Sequence, residues 1–235
     1  MSYIYHIVKF KDGSAYVMFD VCSWKCLYCV RNISPWCSSL PANVQIRLKS
    51  IGISYISAEQ AVKILKNGSV KLAFLGGGEP TQDPDLLNFM KSLKREGIDS
   101  WLITNGENLN DEIFELSRGI TFSIKALDEE KHLRLTGRGN KKVLENFRKY
   151  ANPEKVVAET VYFPKLVDCD EIINIARFVE EVDSRIKLRV DPAVQLKSVQ
   201  GFKECVNKAK EVHEETYRFE LSESPESPEL LYPSL

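Results

Sequence analysis

The chain predicts an α/β fold, a partial (β/α)6 barrel of the TIM type with parallel strands. Two observations carry this reading. Six short apolar segments recur along the chain, and each runs into a stretch with helical spacing. Right-handed crossovers between such segments make a sheet parallel, and repeated units of one hand curve it toward a barrel. Six units fall short of the eight that close the standard barrel, so the barrel stays open, with ligand sites at the C-terminal ends of its strands.

The elements follow in order. Residues 15–19 (AYVMF) form the first strand and lead straight into a cysteine-rich loop. From 30 to 56 the chain reads as irregular, with Pro35 and Pro41 breaking any helix. Ser57 then caps a helix, and Gln60 completes a capping box over Ala61, Ile64 and Leu65. Residues 70–75 are the second strand, followed by three glycines and a helix with Asp83 as N-cap, Pro84 at its first position and Gly97 as its stop. Residues 100–104 are the third strand, and Asn110 caps the next helix. Residues 120–126 are the fourth. Two helical patches come next, the second starting at Asn140 with Val143, Leu144 and Phe147 on one face. Residues 156–163 are the fifth strand. Asp170 then opens a helix carrying Ile172, Ile175, Ala176 and Val179 at helical spacing. Residues 186–190 are the sixth strand, followed by helical periodicity from 199 to 214. The expected organisation is one domain over 1–221 and an extended Ser/Glu/Pro tail over 222–235, in which Leu230, Leu231 and Tyr232 have no evident docking place.

At 235 residues the chain buries roughly 70–75% of its unfolded surface and needs no disulfide staple. Its 32 basic and 33 acidic residues nearly cancel, which argues against a nucleic-acid partner or an anionic membrane surface. The opening MSYIYHIVKF lacks the basic and long apolar regions of a secretory signal, and eighteen consecutive apolar residues occur nowhere. A cytoplasmic address and no membrane association are expected. Six cysteines in that setting read as reduced thiols or metal ligands.

Three of them stand together. Cys22, Cys26 and Cys29 have the spacing C-x3-C-x2-C on a loop with neither helical nor strand periodicity. Three thiolates so placed can hold three corners of a cubic iron–sulfur cluster and leave one iron open to a ligand. Zinc, or a four-cysteine electron carrier, would enlist Cys37 as the fourth ligand, and the cysteines alone leave those alternatives standing.

The cysteine loop after the first strand, the aromatic Tyr28 before the last cysteine, and Gly77-Gly78-Glu79-Pro80 after the second strand together resemble the radical S-adenosylmethionine superfamily. The resemblance implies a 4Fe–4S cluster on Cys22, Cys26 and Cys29. It implies S-adenosylmethionine as the second cofactor, its amino group received by the backbone and carboxylate of the Gly77-Gly78-Glu79 segment. A side-chain-free backbone allows such close approach, and a carboxylate pairs with an ammonium.

Thr104-Asn105-Gly106, Ser123-Ile124-Lys125, the segment from His132 to Gly137 and the segment from Asn140 to Asn146 look like the pyruvate formate-lyase activating enzymes and related glycyl-radical activases. By that resemblance Lys125 meets the cofactor carboxylate and is catalytic alongside the three cysteines. Tyr28, Thr104, Asn105 and Ser123 join the cofactor-binding set. Departures accompany it. The activases hold a monovalent cation on two aspartates where this chain has Ile103 and Ser123, so no such metal is expected. They carry an arginine where this chain has Glu159, and Pro-x-His where it reads Pro192-Ala193-Val194.

The activity expected is reductive cleavage of S-adenosylmethionine to a 5′-deoxyadenosyl radical that abstracts hydrogen from a substrate. A one-electron donor of the flavodoxin or ferredoxin type is implied. The substrate is a glycine of a partner glycyl-radical enzyme or, alternatively, a small molecule, nucleotide or peptide modified directly. A plain electron-transfer protein is the non-catalytic alternative. Cys169 and Cys205 read as thiols within helices, and Trp24 and Trp36 as residues that cover the cluster or simply pack.

Overall fold

In a computed structural model, residues 2–196, 201–218 and 227–235 are described, and they form a mostly parallel sheet flanked by helices. The chain order is β1 (Ile4–Lys9), β2 (Ser14–Phe19), α1 (Ala42–Ile51), α2 (Ala58–Asn67), β3 (Leu72–Gly77), α3 (Leu86–Arg95) and β4 (Asp99–Thr104). Then come α4 (Asp111–Leu116), β5 (Gly119–Ser123), α5 (Glu129–Thr136), α6 (Lys141–Tyr150) and β6 (Val156–Tyr162). The last elements are α7 (Cys169–Val182), β7 (Lys187–Pro192), α8 (Phe202–Val212), β8 (Thr216–Tyr217) and β9 (Glu229–Tyr232). The strands lie in the order β8-β7-β6-β5-β4-β3-β2-β1-β9. From β2 to β8 all neighbours are parallel, and β1 is antiparallel to both β2 and β9. This is the partial barrel that the repeating units predict, with the cysteine loop leaving β2.

Local signals explain most of the helices. Ser57 and Gln60 form the reciprocal capping box on α2, and Asn110 caps α4 by accepting from the Ile113 N–H. In α3, Leu86, Phe89, Met90 and Leu93 share the buried face, each side chain contributing about 1.5–3 kcal/mol of transfer free energy. That helix starts later than its sequence suggests. Asp83 accepts from the Ser2 hydroxyl and the Tyr3 N–H, so the N-cap position passes to Asp85. α7 likewise starts at Asp168, which accepts from the Glu171 N–H, two residues before the expected Asp170.

Three further expectations need correction. The stretch from 30 to 56 is not irregular throughout: a 3-10 turn spans Val30–Asn32, and α1 begins directly after Pro41. Proline breaks a helix interior but is tolerated at its start, where no N–H is required. Leu48 of α1 joins Tyr5, Val8, Met18, Trp36 and Leu40 in an apolar cluster against β1 and β2. Second, Cys169 and Cys205 are not free thiols but a disulfide with Cα atoms 5.3 Å apart, because α7 and α8 pack side by side. Third, three strands were not expected: β1, the short β8 beside β7, and β9 with Leu230, Leu231 and Tyr232, which pairs along β1. Residues 199 and 200 of the last expected helix lie outside the described residues, as do 222–226 of the expected tail.

Candidate active site

The cysteine loop begins where β2 and β3 end side by side, Phe19 opposite Gly77. The Gly78 N–H donates to the Phe19 carbonyl and the Glu79 N–H to the Val21 carbonyl, both at 2.7 Å. A Cβ on Gly78 would stand 2.3 Å from the Val21 carbonyl oxygen, and Gly77 has φ +90°. The glycines are therefore demanded by the loop itself, whose backbone passes against them. Farther along, the Lys25 and Leu27 N–H groups donate to the Thr136 and Leu135 carbonyls at the end of α5. Ser23 and Gln82 exchange two hydrogen bonds, and the Trp24 indole donates to Glu107 and packs edge-on against His132. The loop is thus pinned at both ends, with Cys22, Cys26 and Cys29 as free thiols upon it.

These thiols open onto a cavity of about 470 Å³ at the C-terminal ends of the strands. Cys22, Cys26, Tyr28, Cys29, Gly77, Gly78, Glu79, Thr104, Asn105, Ser123 and Lys125 all line it, so every site residue singled out from sequence faces one space. Glu79 is buried. One of its oxygens accepts from the Thr104 hydroxyl and from Thr81, the other from the Asn105 N–H at 2.7 Å. Burial pushes this carboxyl up, against the pull of those four donors. Lys125 lies 3.8 Å from Glu159 and over the Tyr28 ring, 5.5 Å from its centroid. The Tyr28 hydroxyl is buried and makes no hydrogen bond among the described residues.

Glu159 joins three strands. It sits opposite Ser123 of β5 and Arg189 of β7 in the parallel ladders, accepts from the Ser123 hydroxyl, and lies 3.9 Å from the Arg189 guanidinium. Arg189 in turn meets Asp191 at 2.9 Å. Burial opposes the charge on Glu159, but Lys125, Arg189 and the Ser123 hydroxyl outweigh it and hold its carboxyl below the usual range.

Sequence reasoning did not name Tyr16, Val161, Arg189 or Asp191 as site residues, yet all four line the cavity. The signal that finds them is strand alternation: Glu159 with Val161, and Arg189 with Asp191, are the inward positions of β6 and β7. Cys37 does not line the cavity. It packs with the apolar cluster on β1 and β2, and its N–H donates to His6. Trp24 packs at the cavity wall, and Trp36 lies in that second cluster.

A model of the radical SAM superfamily matches residues 16–179, which include the cysteine loop and five of the parallel strands. The chain belongs to this superfamily. It is a radical SAM enzyme, and the cofactors of that family are a 4Fe–4S cluster and S-adenosylmethionine. A Methanocaldococcus jannaschii protein provisionally named a glycyl-radical enzyme activating enzyme is 34% identical over 168 residues, 69% of this chain and 61% of that protein. The chain thus matches less than two thirds of that relative's length. The pyruvate formate-lyase-activating enzyme of Staphylococcus aureus is 28% identical over 78% of this chain and 76% of its own. Among solved structures, Streptococcus suis SuiB bound to S-adenosylmethionine superposes with a TM-score of 0.59 at 18% identity, over 88% of this chain and 46% of that one, which is a likeness of fold.

The residues present fit these cofactors. Among the described residues three thiols and no fourth line the cavity, which suits a cluster with one open iron. Among the described residues no three His, Cys, Asp or Glu side chains converge as a single metal ion would require, whereas a cubane asks each thiolate for a separate corner. Burial pushes the Cys26 thiol up, with Lys125 pulling the other way, so iron must displace a proton there. A carboxylate at Glu79 and an ammonium at Lys125 face the same cavity, complementary to the amino and carboxyl groups of an amino acid. No helix of the described residues is long and apolar enough to cross a membrane.

Proposed function

We propose that this chain holds the cluster on Cys22, Cys26 and Cys29, binds S-adenosylmethionine across the same cavity, and abstracts hydrogen from a glycine of a partner glycyl-radical enzyme. The observation that supports it is the meeting of the three cysteines, Tyr28, Gly77, Gly78, Glu79, Thr104, Asn105, Ser123 and Lys125 around one cavity. Bound there, the cofactors supply a one-electron reductive cleavage that generates the hydrogen-abstracting radical. The protein's part is placement. Gly77 and Gly78 bring backbone close, Glu79 and Asn105 offer an acceptor and an amide, Thr104 and Ser123 fix the two carboxylates, and Lys125 offers the cation, with Tyr28 beneath it. The electron comes from a flavodoxin- or ferredoxin-type donor. The relatives named as activases support the glycyl target. Direct modification of a small molecule is the second reading, favoured by Glu159 standing where the related activases carry arginine.

The test is anaerobic reconstitution with iron and sulfide, reduction with dithionite, and quantification of products after S-adenosylmethionine is added. Methionine and 5′-deoxyadenosine are expected even without substrate, slowly, and the triple cysteine-to-alanine variant should yield neither. A cluster-replete, reduced protein that forms neither product sinks the reading.

A further inference from the structure

The backbone bonds that seat the cysteine loop fall on its first half. The end of β3 and the last turn of α5 hold it from Phe19 to Leu27, and Cys29 lies beyond the last of those bonds. The Cys29 N–H and carbonyl serve local turns, donating to Cys26 and accepting from Asn32. Among the described residues, another element reaches the Cys29 backbone only through the exposed Gln195 amide, at 3.3 Å, while the neighbouring Tyr28 ring packs on Phe163.

Asp20 and Arg31 supply a stronger tie. Asp20 stands two residues before Cys22 and Arg31 two residues after Cys29, so the pair brackets all three thiols. The Arg31 guanidinium grips Asp20 twice, donating to its carbonyl at 2.7 Å and to one carboxylate oxygen. The other carboxylate oxygen accepts from the Tyr55 hydroxyl. Each partner is itself held. The Asp20 N–H donates to the Tyr3 carbonyl at 3.0 Å, the Tyr55 ring meets the Tyr3 ring edge-on at 5.6 Å, and the guanidinium lies over the Tyr5 ring, 5.8 Å from its centroid. The side chains of Arg31 and Asp20 are 19% and 24% exposed, against 63% and 35% for the surface pair Lys66–Glu96. A surface pair contributes little, whereas a shielded planar fork on two oxygens fixes direction as well as distance. Backbone gripped at residue 31 must break both bonds before Cys29 can leave the other two thiols.

We propose that Asp20 and Arg31 are positioning residues for the cluster, closing the base of the cysteine loop so that Cys29 stands with Cys22 and Cys26. This rests on the reading of those three thiols as cluster ligands and adds the device that brings the third one in. Asparagine cannot replace Asp20, because it offers one uncharged acceptor oxygen where Arg31 and Tyr55 each occupy a carboxylate oxygen. Lysine at 31 keeps the charge but lacks the planar fork that spans carbonyl and carboxylate together.

The anaerobically reconstituted protein is treated with iodoacetamide for increasing times and digested, and mass spectrometry reads the initial alkylation rate of each cysteine. Asp20→Asn should raise the rate at Cys29 roughly tenfold, the scale of one lost charge-assisted contact, and leave Cys22 and Cys26 within about twofold of the wild type. Arg31→Lys should accelerate Cys29 by less but with the same selectivity, and it decides the matter where Asp20→Asn does not fold. Acceleration shared with Cys22 and Cys26 would mean that the pair supports the fold at large. An unchanged rate at Cys29 would mean that its other contacts suffice. Either result overturns the proposal. A wild-type protein that takes up no iron and sulfide rejects the cluster assignment in the proposed function instead, a failure that iron content alone reveals.

Discussion

Lys125 is a cation taken out of bulk water, and its surroundings decide whether it stays one. Burial alone would push its ammonium toward the neutral form, yet the Glu159 carboxylate, the Tyr28 ring and the facing cysteines raise its pKa above the ordinary lysine value. Glu159 moves the opposite way. Both shifts favour the ionised pair, so Lys125 meets an incoming carboxylate already charged. A charge-assisted contact of that kind contributes about 1.5–3 kcal/mol. In the proposed assignment, Lys125→Ala thus weakens S-adenosylmethionine affinity roughly ten- to a hundredfold, measured by equilibrium dialysis on the reconstituted protein. Glu159 keeps Arg189 as a counter-ion in that variant, which limits the damage to the fold. An unchanged dissociation constant would remove Lys125 from the cofactor site.

At the scale of elements, the junction between the β3 end and the cysteine loop decides whether a cluster site exists at all. In Gly78→Ala the new Cβ would fall within 2.7 Å of the Phe19 and Val21 carbonyl oxygens, both backbone atoms that cannot swing aside. The hydrogen bonds from Gly78 and Glu79 that seat the loop are lost with it, about 1 kcal/mol each. Iron content after reconstitution should fall by more than half in this variant. Gly139→Ala, where the added carbon meets only the end of the Glu129 side chain at 3.3 Å, should leave it unchanged. Full iron content in Gly78→Ala would mean that the loop is seated by its other contacts. This junction also shows what a sequence can convey. The spacing of the cysteines and the Gly-Gly-Glu segment announced the site because local backbone geometry demands them. The six central strands were legible because each is an apolar run followed by a stretch of helical periodicity. Arg189 and Asp191 carry no motif, since residues two apart on a strand acquire meaning only when neighbouring strands supply Glu159. β1 stayed hidden because one of its partners, β9, lies more than 200 residues away in the chain, and α1 because Pro41 starts a helix where proline more often ends one.

Considered whole, the molecule is a parallel sheet whose early edge is sealed by an antiparallel pair, and the seal contains a titratable group. His6 of β1 is fully buried, between the rings of Tyr5 and Trp36 at 6.2 and 5.3 Å, and its Nε2 accepts from the Cys37 N–H. An acceptor at Nε2 means a neutral imidazole with its proton on Nδ1. Burial pushes its pKa down from 6.5 to about 4. Between those values the unfolded chain binds a proton that the folded one does not, so stability falls as the pH drops through that window and changes no further below pH 4. At about 1.4 kcal/mol per unit, lowering the pH from 7 to 4.5 costs about 2–3 kcal/mol through His6 alone. His132, lowered by burial beside the cysteine loop and by the nearby Lys125, adds to the same trend from the far side of the cavity. Urea titrations followed by tryptophan fluorescence should show this loss directly, because Trp36 lies against His6. His6→Gln retains an acceptor for the Cys37 N–H but cannot take up a proton. Its unfolding free energy should therefore fall by about 2–3 kcal/mol less than the wild type's between pH 7 and 4.5. If both proteins lose stability equally across that interval, acid acts through the carboxylates, and the edge formed by β1 and β9 is not where the fold first yields.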